Sequence, residues 1–208
     1  MPFINIPLQN TNTLYKNILF MSVDGSDTWP SAFSLCQYIK NQNHLPLLVD
    51  GNIGVSLKEK IDLHLDKVLM DKAALSKAIH YIKQNPILSG KAIHPLSVKP
   101  KSFQQQFISD LIILSGNFDK TIVSLSSENI SLQELWLSWA EKKFLFFQTS
   151  NLFLEKTAQF LFDYPNQIDG LISVDNNPHL SRLAWLRLKK MFPDLPELIS
   201  DIKQTAQK

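Results

Sequence analysis

The chain has 208 residues, of which 44% are hydrophobic and 19% charged, a composition typical of a globular protein with a substantial core. Its 21 basic and 19 acidic residues leave a formal net charge of +2, so charge gives no case for a nucleic-acid partner and we expect none. Residues 1–12 lack the pattern of a secretion signal, and no apolar stretch approaches the ~20 residues of a membrane span. We therefore expect a cytoplasmic protein.

Six short runs of apolar and β-branched residues predict strands. Their nearly continuous apolar character is typical of strands that are buried on both faces of a parallel sheet. The predicted strands are Asn17–Val23, Leu45–Asp50, Lys91–Ser97, Lys120–Ser126, Lys143–Ser150 and Gly170–Asp175.

The segments between these runs space their apolar residues as one face of a helix does. Helices are predicted around residues 33–39, 65–82 (broken), 103–114, 132–139 and 154–162, and two more after Pro178 and Pro193. This alternation predicts right-handed βαβ crossovers and an α/β three-layer sandwich with a mostly parallel central sheet. No long linker or repeat interrupts the pattern, so we expect a single domain over residues 1–208, with a C-terminal helical segment at residues 178–206.

Distinctive segments include or follow the ends of three predicted strands. Ligands bind at this end of the sheet in such folds. The first strand runs into DGSDTWPS (residues 24–31), and the second ends in VDGNIG (residues 49–54). The fourth is contained in FDKTIVSLSS (residues 118–127).

In order and spacing these segments resemble the MinD/ParA family of P-loop ATPases, which includes FlhG, CpaE/TadZ and BcsQ-like proteins. The family has K-G-G-x-G-K-T-T after its first strand, V/I-D-x-D-x-G at the end of its second, and F-D-Y-V-I-I-D-T-P-P later. The likeness extends from about residue 17 to residue 177 and implies a P-loop NTPase-like fold. It also implies a nucleotide loop and a relic of the family's cleft. The loop is Asp24, Gly25, Ser26, Asp27, Thr28, Trp29, Pro30 and Ser31, and the relic cleft is Asp50, Ser124 and Asn176.

The loop departs from the family at its most important positions. Asp24 and Trp29 stand where the family has two lysines, and Pro30 stands where it has a magnesium-binding hydroxyl. Lysines there neutralise the β- and γ-phosphates, whereas an acid repels them. Ser124 replaces the Walker B aspartate. We therefore expect a degenerate P-loop in a protein that is not an enzyme: a catalytically inactive pseudo-ATPase with no catalytic residue, no cofactor and no metal. The alternative is a nucleotide-gated ATPase with an unorthodox loop, and a third class is a small-molecule-binding domain that reuses the cleft.

The remaining polar residues of the cleft have two interpretations each. Asp50 matches an aspartate that the family often uses to position water, but an aspartate followed by Gly and Asn is also a common turn, which we favour. A metal site of Asp24, Asp27 and Asn52 is a less favoured alternative to helix N-capping by the two aspartates. The five histidines show no metal-ligand spacing.

A basic amphipathic helix is predicted after Pro178. We favour its being the last core helix that covers the sheet, while binding to an acidic partner or to an anionic membrane is the alternative. The predicted interaction surface consists of Trp29, Arg182, Trp185, Arg187, Lys189 and Lys190.

The residues and the resemblance together predict a protein-binding module in a bacterial assembly or positioning system, which serves a flagellum, a pilus, polysaccharide secretion or division. The expected partner is a protein, either an active MinD/ParA-like paralogue or a component of the machine. A homodimer is an alternative, and peripheral contact with the inner membrane is a less favoured one.

Overall fold

The structure is a computed structural model that describes residues 15–52, 75–89, 96–175, 177–196 and 198–199. Within these ranges the strands are β1 (Asn17–Ser22), β2 (Pro46–Asp50), β3 (Ile79–Ile82), β4 (Asn85–Leu88), β5 (Lys120–Ser126), β6 (Lys142–Phe147) and β7 (Gly170–Ser173). They form one sheet in the order β3-β4-β2-β5-β1-β6-β7. The β3–β4 pair is antiparallel and the other pairs are parallel.

Helices pack against both faces of this sheet. They are α1 (Trp29–Asn41), α2 (Lys101–Ser115), α3 (Ile130–Trp139), α4 (Asn151–Asp163) and α5 (Pro178–Met191), with short 3-10 helices at Leu75–Ala78 and Leu96–Val98. The Asn177 side chain accepts hydrogen bonds from the first turn of α5, and a proline follows it, which is a favourable helix start. None of the described helices combines the length and the apolar character needed to cross a membrane.

Two hydrophobic clusters lie on opposite faces of the sheet. In β1, Leu19 and Met21 belong to the larger cluster, to which α2, α3, α4 and α5 contribute, while Ile18 and Phe20 belong to the smaller cluster with α1. Both faces of the strand are therefore buried, which explains its continuous apolar sequence. The predicted α/β sandwich with a mostly parallel central sheet is confirmed.

Five of the six predicted strands are present with small shifts at their ends, and the sixth is wrong where it is described. Residues 91–95 of the predicted strand Lys91–Ser97 lie outside the described residues, and Leu96–Val98 is a 3-10 helix.

The helix predicted to end near residue 82 is wrong over residues 79–82, which form β3. β3 and β4 make a hairpin whose two connecting residues, Lys83 and Gln84, have positive φ of 47° and 63°. Ile79 and Ile82 are three residues apart, a spacing that suits a helix as well as a strand end, and Lys-Gln is not a turn sequence that favours positive φ.

The end of the chain differs from the prediction as well. Of the helix predicted after Pro193, residues 193–196 and 198–199 are described and are not helical. Leu198 instead makes a parallel bridge to Leu171 of β7. The single domain over residues 1–208 stays a prediction.

Gly51 allows β2 to end in close contact with β5. Its N–H donates to the Ser124 carbonyl oxygen at 2.8 Å, and its carbonyl accepts from the indole N–H of Trp136 at 2.9 Å. A Cβ atom added to Gly51 would lie 2.9 Å from Val123 Cγ1 and 3.0 Å from the Ser124 carbonyl oxygen. Glycine is required here by space.

Replacing Gly51 with alanine is therefore expected to lower the free energy of unfolding by about 1–3 kcal/mol, because the new methyl group overpacks the contact with β5. Urea denaturation followed by circular dichroism measures this loss. Ser109→Ala, at an exposed position of α2, is the control and should change stability by less than about 0.5 kcal/mol. An equal effect of the two substitutions would contradict the packing explanation.

Candidate functional site

The loop between β1 and α1, residues 23–28, lies at the carboxyl end of the sheet, and we call it the strand-end loop. The side chains of Asp24, Ser26 and Thr28 are buried, whereas Gly25 and Asp27 are exposed. Gly25 has φ +79°, a conformation that glycine adopts without strain. The loop thus turns its polar residues inward at alternate positions.

The Asp24 carboxylate is held by two backbone N–H groups. Its Oδ1 accepts from Ser26 N–H at 2.8 Å, and its Oδ2 accepts from Gln148 N–H at 3.2 Å, just beyond the end of β6. The Gln148 side-chain amide donates to Ser26 Oγ at 3.0 Å, and Ser22 Oγ donates to the Ser26 carbonyl at 2.6 Å. A buried carboxylate needs such donors, so these bonds tie the strand-end loop to β6.

Thr28 connects the start of α1 to the end of β5. Its hydroxyl lies 2.7 Å from Ser124 Oγ and 3.3 Å from Ser126 Oγ, and Ser126 Oγ accepts from Thr28 N–H at 3.2 Å. Although Thr28 occupies the N-cap position of α1, its side chain makes no capping bond. Asp27 Oδ1 accepts from Trp29 N–H at 3.1 Å instead, so Asp27 pairs with the first helical N–H, while the bonds of Asp24 stay within the loop and with Gln148.

Asp50 ends β2 beside Ser124, its register partner in β5. Its side chain is 3% exposed, and its Oδ1 accepts from Asn52 N–H at 3.1 Å, the bond of a side-chain turn. Burial raises the pKa of Asp50 to about 7, although the hydrogen bonds from Asn52 act in the opposite direction. Asp24, Asp50 and Ser124 thus all lie at the carboxyl end of the sheet, as the sequence indicated.

The remaining residues of the predicted nucleotide loop lie at the start of α1. Trp29 is half-buried and packs on the smaller cluster, Pro30 is exposed and Ser31 is half-buried. Asn176 lies outside the described residues. Among all residues that the structure describes, no group of three or more His, Cys, Asp or Glu side chains is arranged to hold a metal ion.

The α5 residues of the predicted interaction surface do not share one environment. Trp185 Nε1 donates to the Pro196 carbonyl at 3.1 Å and Lys189 Nζ donates to the Leu195 carbonyl at 2.6 Å, so both fasten the segment after the helix. Arg182, Arg187 and Lys190 are exposed. The helix does cover the sheet, but the residues that it buries are Ser181, Ala184 and Leu188.

Sequence reasoning missed Ser126 and Gln148, which hold the strand-end loop. Gln148 was included in the predicted strand Lys143–Ser150, whereas β6 ends at Phe147 and leaves the N–H of residue 148 for Asp24. The sequence signal for the end of β6 was that a polar residue, Gln148, follows its apolar run.

Comparison with solved structures identifies the fold. The chain is similar to cobyrinic acid a,c-diamide synthase from Mycobacterium smegmatis, with a TM-score of 0.67, 18% identity, and coverage of 93% of this chain and 88% of that one. It is similar to MinD in the MinC:MinD cell division protein complex of Aquifex aeolicus (TM-score 0.60, 13% identity, 86% and 79% covered). It also resembles a ParA family ATPase from Chlorobium tepidum TLS (TM-score 0.60, 13% identity, 88% and 83% covered). At these identities the likeness is one of fold, and the fold is the α/β fold of MinD- and ParA-type P-loop proteins.

No protein-family model and no curated protein sequence matches the chain.

The comparisons contradict the expectation that the chain is not an enzyme. The solved structures that share its fold include a synthase and an ATPase, so this is a fold on which enzymes are built. The expectation rested on the residues at four positions, namely Asp24, Trp29, Pro30 and Ser124. Substitutions at those positions do not by themselves exclude catalysis.

Asp50 predicts a pH-dependent stability. Between its ordinary pKa of 3.8 and the folded value of about 7, the folded state keeps a proton that the unfolded state has released, so stability falls as pH rises through this range. Asp50→Asn keeps the acceptor for Asn52 N–H but cannot ionise. Its stability relative to the native chain should therefore increase from pH 4 to pH 8, by roughly 3–4 kcal/mol. Urea denaturation at both pH values measures the difference, and a pH-independent difference would contradict the buried, protonated Asp50.

Proposed function

We propose that the chain is a protein-binding component of a bacterial assembly or positioning system. Its partner is a MinD/ParA-like paralogue or a component of the machine that it serves. The proposal places the chain in the cytoplasm and keeps contact at the inner membrane as an alternative, and both settings rest on the family resemblance. The observation that carries the proposal is an exposed surface on α5.

This surface combines large apolar and basic side chains. Four apolar residues of the helix, spaced three to five positions apart, are between 45% and 56% exposed. Residues three apart are neighbours on a helix, so Leu180, Leu183 and Leu186 form a continuous patch, and Met191 is exposed five positions further along. Contiguous exposed apolar patches mark interaction sites. We call this surface the α5 face, and it consists of Leu180, Arg182, Leu183, Leu186, Arg187, Lys190 and Met191.

The strand-end loop supports the proposal in a different way. The Asp24 carboxylate and the groups around it pair with one another, so the hydrogen-bonding capacity of these groups is used within the protein. The carboxylate also brings negative charge to the place where the resemblance would put a polyphosphate, which disfavours an anionic ligand there.

The comparisons are consistent with a protein partner. The MinD of similar fold was solved as a complex with MinC. The choice among flagellum, pilus, polysaccharide secretion and division rests on the resemblance alone, and the proteins encoded beside this chain are the first partners to test.

A double substitution on the α5 face tests the proposal. The full chain, co-expressed with each protein encoded by a neighbouring gene, is expected to form a complex whose mass is measured by size-exclusion chromatography with light scattering. Leu183→Ser with Leu186→Ser should abolish the complex, because it removes apolar area from the α5 face. Ile112→Ser with Ile113→Ser is the matched control on α2, where both isoleucines are exposed, and should leave the complex intact.

Two outcomes would contradict this assignment. A native chain that forms no complex with any of these proteins and does not self-associate would remove the support for a protein-binding role. Loss of association in Trp29→Glu, but not in the α5 variant, would move the interface to the start of α1, next to the strand-end loop. Tyr38→Glu, which introduces a charge at an exposed aromatic residue of the same helix as Trp29, controls for that substitution.

A nucleotide-gated ATPase is the second candidate function. It is favoured by a structure of the Mycobacterium smegmatis synthase with bound ATP analogue and magnesium, which matches this chain with a TM-score of 0.63 and 17% identity. For such a ligand to enter the strand-end loop, its phosphates would have to compete with the Asp24 carboxylate for Ser26 N–H and Gln148 N–H.

This candidate makes a prediction about Asp24. Asp24→Asn removes the negative charge and leaves Gln148 N–H without its carboxylate partner, so isothermal titration should show Mg-ATP binding at least about tenfold tighter than to the native chain. Asp27→Asn makes the same change of charge on an exposed side chain of the same loop and should have a much smaller effect. Absence of Mg-ATP binding to the native chain and to both variants would exclude the candidate.

A further inference from the structure

Helix α5 turns two small residues and one leucine toward the sheet and leaves three leucines outside. Ser181 and Ala184 face the sheet with Leu188, and Ser181 Oγ donates to Ser173 Oγ of β7 at 2.8 Å. The small residues therefore let the helix approach the sheet closely. Leu180, Leu183 and Leu186 remain outside, 45–47% exposed, although each is as large as the buried Leu188. Packing among the residues that the structure describes does not explain three leucines on the outer side.

The same side of the helix carries positive charge only. Arg182, Arg187 and Lys190 are exposed on it, and the sequence of residues 178–191 contains no acidic residue. Arg187 Nη1 donates to Asn151 Oδ1 at 3.1 Å, and this neutral amide carries no charge that would neutralise the arginine. An occupant that covers the leucines must therefore supply negative groups between its apolar ones.

A cavity continues the α5 face at the carboxyl end of the helix. It has a volume of about 430 Å³ and is bordered by Met191 and Phe192 at the end of α5, by Leu161 of α4 and by Ile168 ahead of β7. Met191 is 56% exposed and belongs to both the face and the cavity rim. An apolar pocket beside a polar, charged surface is the usual seat of one large anchoring side chain in a protein interface.

We infer that the α5 face is the docking site of an acidic amphipathic helix from a partner protein. The inference rests on the proposed protein-binding function and adds the chemistry of the partner. Carboxylates of the docked helix lie against Arg182, Arg187 and Lys190, its apolar side covers the leucines, and a large apolar side chain near one end fills the cavity. Helix-in-groove recognition of this kind uses anchors spaced by three and four residues.

The arrangement of charge favours a helix over a membrane surface. At about 100° per residue, Lys190 projects between Leu183 and Leu186 around the axis of α5. A helix that lies in a membrane interface has an unbroken apolar side with its basic residues at the border. Here the buried side of α5, with Ala184 and Leu188, is turned into the protein, and the outer side alternates apolar and basic residues.

The test uses the full chain and a designed 18-residue helical peptide with leucine and phenylalanine along one side and glutamate beside them. Fluorescence anisotropy should show that this peptide binds at least tenfold tighter than the same peptide with lysine in place of glutamate, and that added salt weakens the binding. Arg182→Glu with Lys190→Glu should reduce the affinity at least tenfold. The control, Lys77→Glu with Lys101→Glu, makes the same change of charge at exposed positions elsewhere and should alter the affinity less than twofold.

Circular dichroism of each variant establishes that it is folded. Equal affinities for the glutamate and lysine peptides would overturn the inference, as would equal effects of the two double variants. Binding of the native chain to phosphatidylglycerol vesicles, lost in the Arg182→Glu, Lys190→Glu variant and unaccompanied by peptide binding, would overturn it in favour of a membrane. If the peptide does not bind but Leu183→Ser with Leu186→Ser still abolishes a complex, this inference fails and the proposed function stands.

Discussion

The buried carboxylate of Asp24 constrains the whole carboxyl end of the sheet. A carboxylate in the interior must be met by hydrogen-bond donors, since leaving it unpaired costs several kcal/mol. The donors here are Ser26 N–H within the loop and Gln148 N–H after β6. Thr28 extends the same layer to β5 through Ser124. The three adjacent central strands therefore end in one polar layer, and the path of the chain from β1 into α1 follows from the need to complete it.

The strands that the sequence predicted well are parallel strands with continuous apolar runs. β1, β2, β5 and β6 lie inside the sheet, and β7 is buried although it ends the strand order, so these strands are apolar on both faces and can be recognised from the sequence alone. The β3–β4 hairpin at the edge of the sheet lacks that signal. Its residues are less apolar, Ile79 and Ile82 fit a helical spacing, and its turn uses Lys83 and Gln84 in place of the glycine or asparagine that usually marks positive φ. Edge structure depends on pairing that a local pattern does not encode.

In the candidate site, too, the sequence indicated the important residue types but not the contacts that these residues make. The acid at Asp24 and the turn at Asp50 were apparent from the sequence, whereas one of the two donors to Asp24, Gln148 N–H, comes from a distant strand end. For α5 the sequence predicted a basic amphipathic helix, and the structure shows how its residues are divided: Trp185 and Lys189 hold the following segment, whereas Arg182 and Lys190 face outward. Apolar residues occur on both sides of this helix, so periodicity alone cannot tell which side meets the sheet. The close approach of Ser181 to Ser173 decides it.

A nucleotide that binds at the strand-end loop would have to compete with the Asp24 carboxylate for backbone N–H groups. A P-loop binds phosphate through backbone N–H groups, and the Asp24 carboxylate engages one N–H of the strand-end loop and one at the end of β6. The internal carboxylate has the advantage that it is already in place, since it loses no translational freedom on pairing, while a phosphate brings more charge and more acceptor oxygens. A triphosphate would also have to displace or tolerate a like charge at a few ångströms without the two lysines that the resembling family places there. Among the described residues, no carboxylate is seen to compete in this way at the α5 face, where Arg182 and Lys190 are exposed and the three leucines are 45–47% exposed. Physical cost therefore opposes a ligand at the strand-end loop and favours one at α5.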